Sequence, residues 1–304
     1  MADFNVNHIT GKQGQQGTVL AGVTTVSSTG VMRIPVGFTG QQTILKDDSY
    51  KDNLVLALPF NADSKFTDIS PRKHGNAGIN TGIGNTTDSI PYGMIGVGTT
   101  AVHGGISTHS KYYGHSLWTN GGHQALTYVG GANDWDLTGG NINTGQWTIE
   151  FWFYPYNALE SGVKVLGTRA LKSGGASVGW EIVYKSFQMG VEAYEPYSTS
   201  GQQRNTTGIS SHTWTHVAFC YKDQYVRGWQ DGNSDGCLYE RLKGTWASGI
   251  NDGSLKGGAL RIGKPWTYNE GPQAFMQDLR IYKGVAKYDV AKGTSFTVPD
   301  QIAL

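Results

Sequence analysis

The stretch Gln146-Trp-Thr-Ile-Glu-Phe-Trp-Phe-Tyr-Pro155 decides the fold of this chain. Every second side chain is apolar, and the residues between them form an amphipathic set. One face carries Trp147, Ile149, Phe151 and Phe153, and the other carries Thr148, Glu150, Trp152 and Tyr154. This two-residue period is that of a β-strand, and the closing proline has no N–H to give to a sheet. A strand this aromatic needs an opposing sheet to cover its apolar face, so the stretch predicts a β-sandwich.

The rest of the chain repeats this pattern at short intervals. Short β-prone runs are separated by clusters of Gly, Asn, Asp and Ser, which is typical of strands joined by turns. No segment keeps the 3.6-residue period of an amphipathic helix. The sequence therefore predicts an all-β chain, with strands near 115–119, 124–129, 146–154, 163–168, 179–185, 187–194, 213–221, 225–230, 237–240, 258–263 and 274–283.

Several of these segments resemble, in the same order, the strands of concanavalin A-like lectin/glucanase domains of the laminin G type. The matching stretches are NLVLALPF (53–60), FTDIS (66–70), YGHSL (113–117), WTIEFWFYP (147–155), TWTHVA (213–218), LRIG (260–263) and QDLRIYKGVA (277–286). The resemblance implies one two-sheet β-sandwich, or jelly roll, over residues 51–304. The phrase DLRIYKGVAKY (278–288) resembles copies carried by tailed phages of marine bacteria and cyanobacteria, which implies a bacteriophage virion protein.

Composition narrows the class of protein further. The chain has 304 residues, of which 12% are aromatic and 15% charged, and its net charge is +1. So many aromatic residues argue against disorder, and the near-neutral charge argues against a nucleic-acid partner. No apolar run approaches the ~18 residues of a membrane span, and the first residues lack the basic and apolar segments of a signal peptide. We therefore expect a protein made in the host cytoplasm that becomes part of the virion.

Residues 1–50 differ in composition from the rest and predict an extended N-terminal docking arm. The segments 19–26 and 31–36 are β-prone but have no core of their own, which suits pairing with another chain. The expected partners are other virion proteins of the capsid or tail, and a homo-oligomer is a further option. A disordered tail is the alternative. The candidate assembly residues are Phe4, Val6, Val19, Leu20, Val31 and Ile34.

The carboxylates do not form the pattern of a glycosidase. A retaining enzyme needs two carboxyl groups about 5–5.5 Å apart, which two acids on one face of a strand provide. Here Glu150 stands alone, because Trp and Tyr occupy the next same-face positions. Glu181 and Glu192 lie on other predicted strands and would have to approach it. We therefore expect no catalytic residue and no enzyme, with a glycoside hydrolase using an atypical acid pair as an alternative.

The sequence predicts no metal or cofactor. Asp231, Asn233 and Asp235 alternate like the start of a calcium loop, but the rest of that motif is absent, so a turn is expected and Ca²⁺ is the alternative. A group of four histidines matches no zinc signature. These are His103, His109, His115 and His123.

Two cysteines do not make a disulfide framework. Cys220 lies in a predicted strand, and Cys237 follows the turn 232–236. We expect two free, buried thiols, although a bridge between the two strands is geometrically conceivable.

Aromatic residues in loops are the remaining candidate binding residues. Segment 264–270 holds Trp266 and Tyr268, and segment 192–197 holds Tyr194 and Tyr197. Sugars pack their apolar faces on such rings while polar neighbours hold the hydroxyls. The alternative is that the rings cover the ends of the sandwich or an oligomer contact.

The prediction is thus a non-enzymatic virion structural protein. It would serve in capsid decoration or as part of the tail or its fibre, with the arm docking it to the particle. Its lectin-like sandwich would be exposed and could bind a host surface polysaccharide for attachment. A free carbohydrate-binding lectin is the alternative.

Overall fold

A computed structural model describes residues 48–61, 68–71, 78–80, 89–90, 105–121, 125–128, 135–137, 144–157, 162–168, 170–171, 177–194, 208–234, 237, 239–241, 260–263, 271–293 and 295–298. All of them belong to the unit Asp48–Ile302. Apart from its last three positions, the predicted arm lies outside the described residues, and so do its six candidate assembly residues. Within the described part of the chain, no helix is long and apolar enough to cross a membrane.

The described residues form sixteen strands and one 3₁₀ turn, Lys51–Asn53. Each strand segment predicted from the sequence overlaps one of them. The strands are β1 Leu54–Leu58, β2 Gly78–Asn80, β3 Ser89–Ile90, β4 Gly105–Ser107, β5 Ser116–Asn120, β6 Ala125–Tyr128, β7 Trp147–Pro155, β8 Val163–Gly167, β9 Ala170–Leu171, β10 Ser177–Lys185, β11 Gln188–Tyr194, β12 Thr215–Lys222, β13 Tyr225–Gln230, β14 Tyr239–Arg241, β15 Leu260–Ile262 and β16 Gln273–Lys283.

The strands make two antiparallel sheets. The first has the order β14-β13-β12-β7-β16-β5-β4, and β1 also pairs with β16. One edge of β16 pairs with β7 along most of its length, and the other edge is shared end to end by β5 and β1. The second sheet has the order β11-β10-β8-β15-β6-β2-β3, with β9 on β10. The all-β prediction of a concanavalin A-like two-sheet sandwich is confirmed.

One hydrophobic core lies between the sheets and is built from the inward positions of both. Its members include Trp147, Ile149, Phe151, Phe153, Val217, Phe219 and Ile281 from the first sheet and Leu126, Val165, Trp180, Ile182, Tyr184, Val191 and Ile262 from the second. Burying a side chain of this size stabilises a fold by about 1.5–3 kcal/mol. A register slip of one residue would turn a whole set of these side chains to the other face, so the alternation fixes the strand pairing.

Strand β7 is buried on both faces. Every position from Trp147 to Pro155 is buried except Tyr154, which is partly exposed. The amphipathic face expected from the sequence is therefore covered at Thr148, Glu150 and Trp152, and it is open only near the end of the strand.

A β-bulge in β16 changes the shape of this outer face. Gln277 pairs with Trp152 and Arg280 pairs with Glu150, so β16 has one residue more than β7 between these pairs. Asp278 lies within the bulge and has a φ of 55°. Such a bulge bends its strand and redirects the neighbouring side chains.

Candidate functional site

The outer face of the first sheet carries a row of aromatic rings, three of them on neighbouring strands and the fourth on the residue before another strand. Phe275 of β16 pairs with Trp118 of β5 on one side and with Tyr154 of β7 on the other. Trp214 continues the row immediately before β12. Successive ring centroids are 4.5 Å, 5.7 Å and 5.5 Å apart. We call these four residues the aromatic row. None of them is fully buried, so the row presents ring surface at the exterior of the protein.

More rings extend this surface. Tyr156 is 48% exposed and meets Trp118 edge-on at 5.9 Å. His212 packs against Tyr156 at 5.0 Å, and His109 lies parallel to Trp214 at 5.7 Å. Burial lowers the pKa of His109, so its imidazole is neutral near pH 7 and behaves as another flat, weakly polar ring.

A buried glutamine holds the loop beside the row in place. The Oε1 of Gln277 accepts the backbone N–H groups of Lys111 and Tyr112, each at 3.0 Å, and its Nε2 donates to the carbonyl of His115. The Lys111 ammonium lies 4.5 Å from the centroid of the Trp152 ring. Since Gln277 is completely buried, this loop is fastened to the sheet rather than resting loosely on it.

Glu150 lies at the centre of a buried charge cluster on the same face. It is 2% exposed and accepts hydrogen bonds from Lys287 Nζ at 2.7 Å and Tyr288 Oη at 2.5 Å, with Arg280 Nη1 at 3.6 Å. Burial would raise the pKa of Glu150, but the attraction of Lys287 and Arg280 outweighs it and lowers the pKa to about 2. The carboxylate is therefore ionised at all ordinary pH values, and both of its oxygen atoms already accept hydrogen bonds from protein groups.

The segment after β16 covers this half of the face. Thr148 fastens the segment, since its Oγ1 donates to the carbonyl of Val285 and accepts the N–H of Lys287. A second hydrophobic cluster lies beneath the segment and consists of Ala218, Cys220, Trp229 and Val290, with Tyr225, Ala286, Tyr288 and Phe296 packed against it. Glu150 is thus sealed under protein, so it is not placed to meet a substrate.

Burial also keeps two further polar groups of this face uncharged. Burial lowers the pKa of His216 to about 4; Arg280 and Lys287 push it in the same direction, while Glu150 opposes them. Burial raises the pKa of the Cys220 thiol to about 12. Both cysteines are free, as expected, but Cys237 is only partly buried, which corrects the prediction that both thiols are buried.

The other two acids considered for catalysis lie on the opposite side of the sandwich. Glu181 of β10 and Glu192 of β11 are direct cross-strand neighbours in the second sheet. Lys164 Nζ lies 2.5 Å from Glu192 Oε2 and 3.5 Å from Glu181 Oε2. On β10, Glu181 lies between two core residues, and on β7, Glu150 does the same. The carboxylates of Glu181 and Glu150 therefore point away from the core on opposite sides of the sandwich. The hypothesis that they approach Glu150 is therefore wrong.

The predicted sugar-binding aromatic residues fall mostly outside the described residues. This applies to Trp266, Tyr268 and Tyr197. Tyr194 is the last residue of β11, where it pairs with Gly179. Their role in binding stays a prediction.

The predicted turn at 231–236 is present where the structure describes it. Asp231 and Gly232 have positive φ angles, and Asn233 bridges back to Gln230. Asp231 Oδ1 accepts the backbone N–H of His216 at 2.8 Å, so this carboxylate secures the turn. Asp235 lies outside the described residues. Among the described residues there is no group of three or more His, Cys, Asp or Glu side chains suited to a metal ion.

Sequence analysis alone did not single out the aromatic row as a site. The sequence nevertheless indicated an unusual outer face on β7, because the outward residues Trp152 and Tyr154 are unusually large for a face exposed to solvent. Only the pairing register shows that Trp118 and Phe275 lie beside Tyr154. Of the four histidines, His109 packs among the rings, and the carbonyl of His115 accepts a hydrogen bond from Gln277. His103 and His123 lie outside the described residues.

The two antiparallel sheets and the core between them define the protein as an all-β sandwich. The family comparison matches residues 129–287 to the Concanavalin A-like lectin/glucanases superfamily. This match covers more than half of the chain, and the protein belongs to that superfamily. A search of curated proteins finds no match.

Solved structures with the same fold include one domain of an arabinanase and the binding domains of two toxins. Domain 4 of AbnA, a GH43 extracellular arabinanase from Geobacillus stearothermophilus solved with arabinotriose, is 15% identical; the match covers 83% of this chain and 97% of that one, with a TM-score of 0.50. The binding domain of Paraclostridial Mosquitocidal Protein 1 is 14% identical, with 77% and 49% covered and a TM-score of 0.51. The binding domain of botulinum neurotoxin serotype D/C VPI 5993 is 15% identical, with the same coverage and TM-score. This chain thus spans about half the length of the toxin domains, and the likeness concerns the fold alone.

Proposed function

We propose that this protein binds carbohydrate, without catalysis, on the aromatic row and Tyr156. The observation that carries the proposal is the row itself: three partly exposed rings in register on three neighbouring strands, a fourth on Trp214 immediately before β12, and Tyr156 standing 48% exposed beside them. Soluble proteins bury most of their large aromatic side chains, and such a patch marks a binding surface. Rings fixed on strands lose little entropy when a sugar packs on them.

The polar surroundings suit a sugar better than an apolar partner. Asn157 and Gln273 interact through their side-chain amides at the Tyr156 end of the row. Amides of this kind can exchange their hydrogen bonds with sugar hydroxyl groups. Domain 4 of the arabinanase, which has the same fold, was solved with arabinotriose, which supports a test with oligosaccharides.

The test is a glycan array followed by calorimetry on the glycans that bind. Tyr156→Ala and Trp118→Ala should each weaken binding about fivefold, since loss of an aromatic contact costs on the order of 1 kcal/mol. Phe187→Ala is the matched control, because Phe187 is also exposed, at 41%, but lies in the hairpin turn between β10 and β11 of the second sheet. Binding that survives both row variants, or that Phe187→Ala abolishes, would reject this site.

The absence of catalysis rests on the burial of Glu150 and its saturation by Lys287, Tyr288 and Arg280. Purified protein should release no product from β-glucans. Product release that disappears in Glu150→Gln while the variant remains folded would instead establish the alternative, a hydrolase with an atypical acid pair.

We further propose that the sandwich is carried on a bacteriophage particle by residues 1–50. The phage-like phrase at 278–288 and the separate composition of residues 1–50 support this. The arm would dock to a capsid or tail protein and leave the aromatic row free to contact a host surface polysaccharide. Deleting residues 1–47 should abolish incorporation into particles while the purified sandwich still folds. Incorporation at the wild-type level would refute this docking role.

A further inference from the structure

One cation beside the aromatic row makes no ion pair with any carboxylate that the structure describes. Lys111 is exposed, and its Nζ stands over the ring of Trp152 at 4.5 Å and that of Tyr112 at 5.6 Å. It makes no ion pair with a residue that the structure describes. Ring faces attract an ammonium group without accepting its N–H bonds as oxygen atoms do, so the three donors remain available to a ligand.

Two other cations of this outer face differ from Lys111. The side chains of Lys287 and Arg280 are only 9% and 8% exposed, and both lie within ion-pair distance of Glu150 and Asp48. Their charges hold the C-terminal segment and the start of the sandwich on the sheet. Lys111 alone among these three presents its charge to solvent.

The loop that carries Lys111 is fixed in position. Gln277 accepts the Lys111 N–H at 3.0 Å, and Ser116 Oγ donates to the carbonyl of His109. His109 in turn packs on Tyr154, with 4.5 Å between centroids. The lysine backbone and the rings are therefore positioned relative to each other before any ligand arrives, which reduces the entropy that binding must overcome.

We propose that the site selects acidic glycans, with a sugar carboxylate or sulfate on the Lys111 ammonium and a neighbouring sugar ring on the aromatic row. Trp152 and Tyr154 are successive outward positions of β7, about 7 Å apart along a strand, so the charge lies roughly one sugar unit from the rings. The inference rests on the proposed carbohydrate binding and adds the chemical class of the ligand.

The test compares matched ligands that differ only in charge: oligogalacturonates against their methyl esters, and a sulfated galactan oligosaccharide against its desulfated form. Wild-type protein should bind the acidic member of a pair more tightly. Lys111→Gln should weaken acidic binding about three- to fivefold, the range of an exposed ion pair, and leave neutral binding unchanged. Lys111→Arg should retain the preference, and Lys185→Gln, an exposed lysine of the second sheet, should change nothing.

Ionic strength gives an independent check. Raising it from about 0.01 M to about 1 M shortens the screening length from about 30 Å to about 3 Å, which should reduce acidic binding in wild type and have little effect in Lys111→Gln. Equal binding of charged and neutral partners overturns the selectivity and leaves carbohydrate binding intact. If Lys111→Gln weakens the binding of charged and neutral glycans by the same factor, the proposed selectivity is also overturned. No binding to any of these glycans or to the array overturns both proposals.

Discussion

Glutamine in place of Glu150 should destabilise the protein by about 3 kcal/mol. The carboxylate is 2% exposed and faces two cations whose side chains are 9% and 8% exposed, Lys287 at 2.7 Å and Arg280 at 3.6 Å. Removing one member of a buried ion pair leaves its partners' charges uncompensated, which costs about 3–5 kcal/mol. The pKa supports the same magnitude, because a fall from 4.5 to about 2 corresponds to roughly 3 kcal/mol at about 1.4 kcal/mol per pH unit.

The pH dependence of the loss follows from the direction of this shift. Folding lowers the pKa of Glu150, so its stabilisation is complete above pH 4.5 and disappears as the pH falls towards 2. Thermal melts should therefore show Glu150→Gln about 5 °C below wild type at pH 7, with the gap narrowing steadily below pH 4.5. Urea unfolding at the same pH values gives the free energies directly.

Two controls separate buried charge from charge in general. Asp223→Asn removes an exposed carboxylate in a turn and should change stability by less than about 0.5 kcal/mol. Glu150→Gln combined with Lys287→Met removes an uncompensated ammonium as well and should recover part of the loss. If Glu150→Gln were as stable as wild type at pH 7, the carboxylate would not hold the outer face together, and its burial would need another explanation.

Three further results are expected. Burial lowers the pKa of His216 to about 4, so wild-type stability should decline as the pH falls from 6.5 to 4, and urea unfolding of His216→Gln should show a flatter decline; equal slopes would contradict this. A Cβ on Gly167 would lie 2.3 Å from a backbone oxygen of β10, so Gly167→Ala should cost at least about 1–3 kcal/mol, whereas Gly208→Ala, which meets open space, should melt like wild type. A thiol reagent at mildly alkaline pH should label Cys237 in the folded protein and Cys220 only after unfolding, because burial raises the pKa of Cys220 to about 12; rapid native labelling of both would refute the burial of Cys220.

The strands could be predicted because alternation is a local property of the sequence. Trp147, Ile149, Phe151 and Phe153 follow one another at a period of two, and no other regular structure buries all four on one side. The need for a second sheet follows from the size of these side chains. The partner strands do not follow in the same way, since β16 comes more than a hundred residues after β7, and its bulge at Gln277 depends on packing between the two.

The site was harder to predict because it depends on contacts between distant segments. Trp118, Tyr154, Trp214 and Phe275 come from four separate segments of the sequence and meet only through the register of the sheet. For Glu150 the sequence shows only that the second acid of a glycosidase is missing from its strand. The structure adds the partners of the carboxylate, which are two cations and a tyrosine hydroxyl.

One strand therefore serves two purposes on one face. At Thr148 and Glu150 the outward side chains hold the C-terminal segment, and that segment covers Glu150. Four residues after Glu150, Tyr154 remains partly exposed. A face closed by ion pairs at one end and lined by rings at the other can retain a glycan without acting on it. Activity would require displacing Lys287 and Tyr288 from Glu150, which would leave charged groups without partners, whereas binding on the rings requires no such displacement.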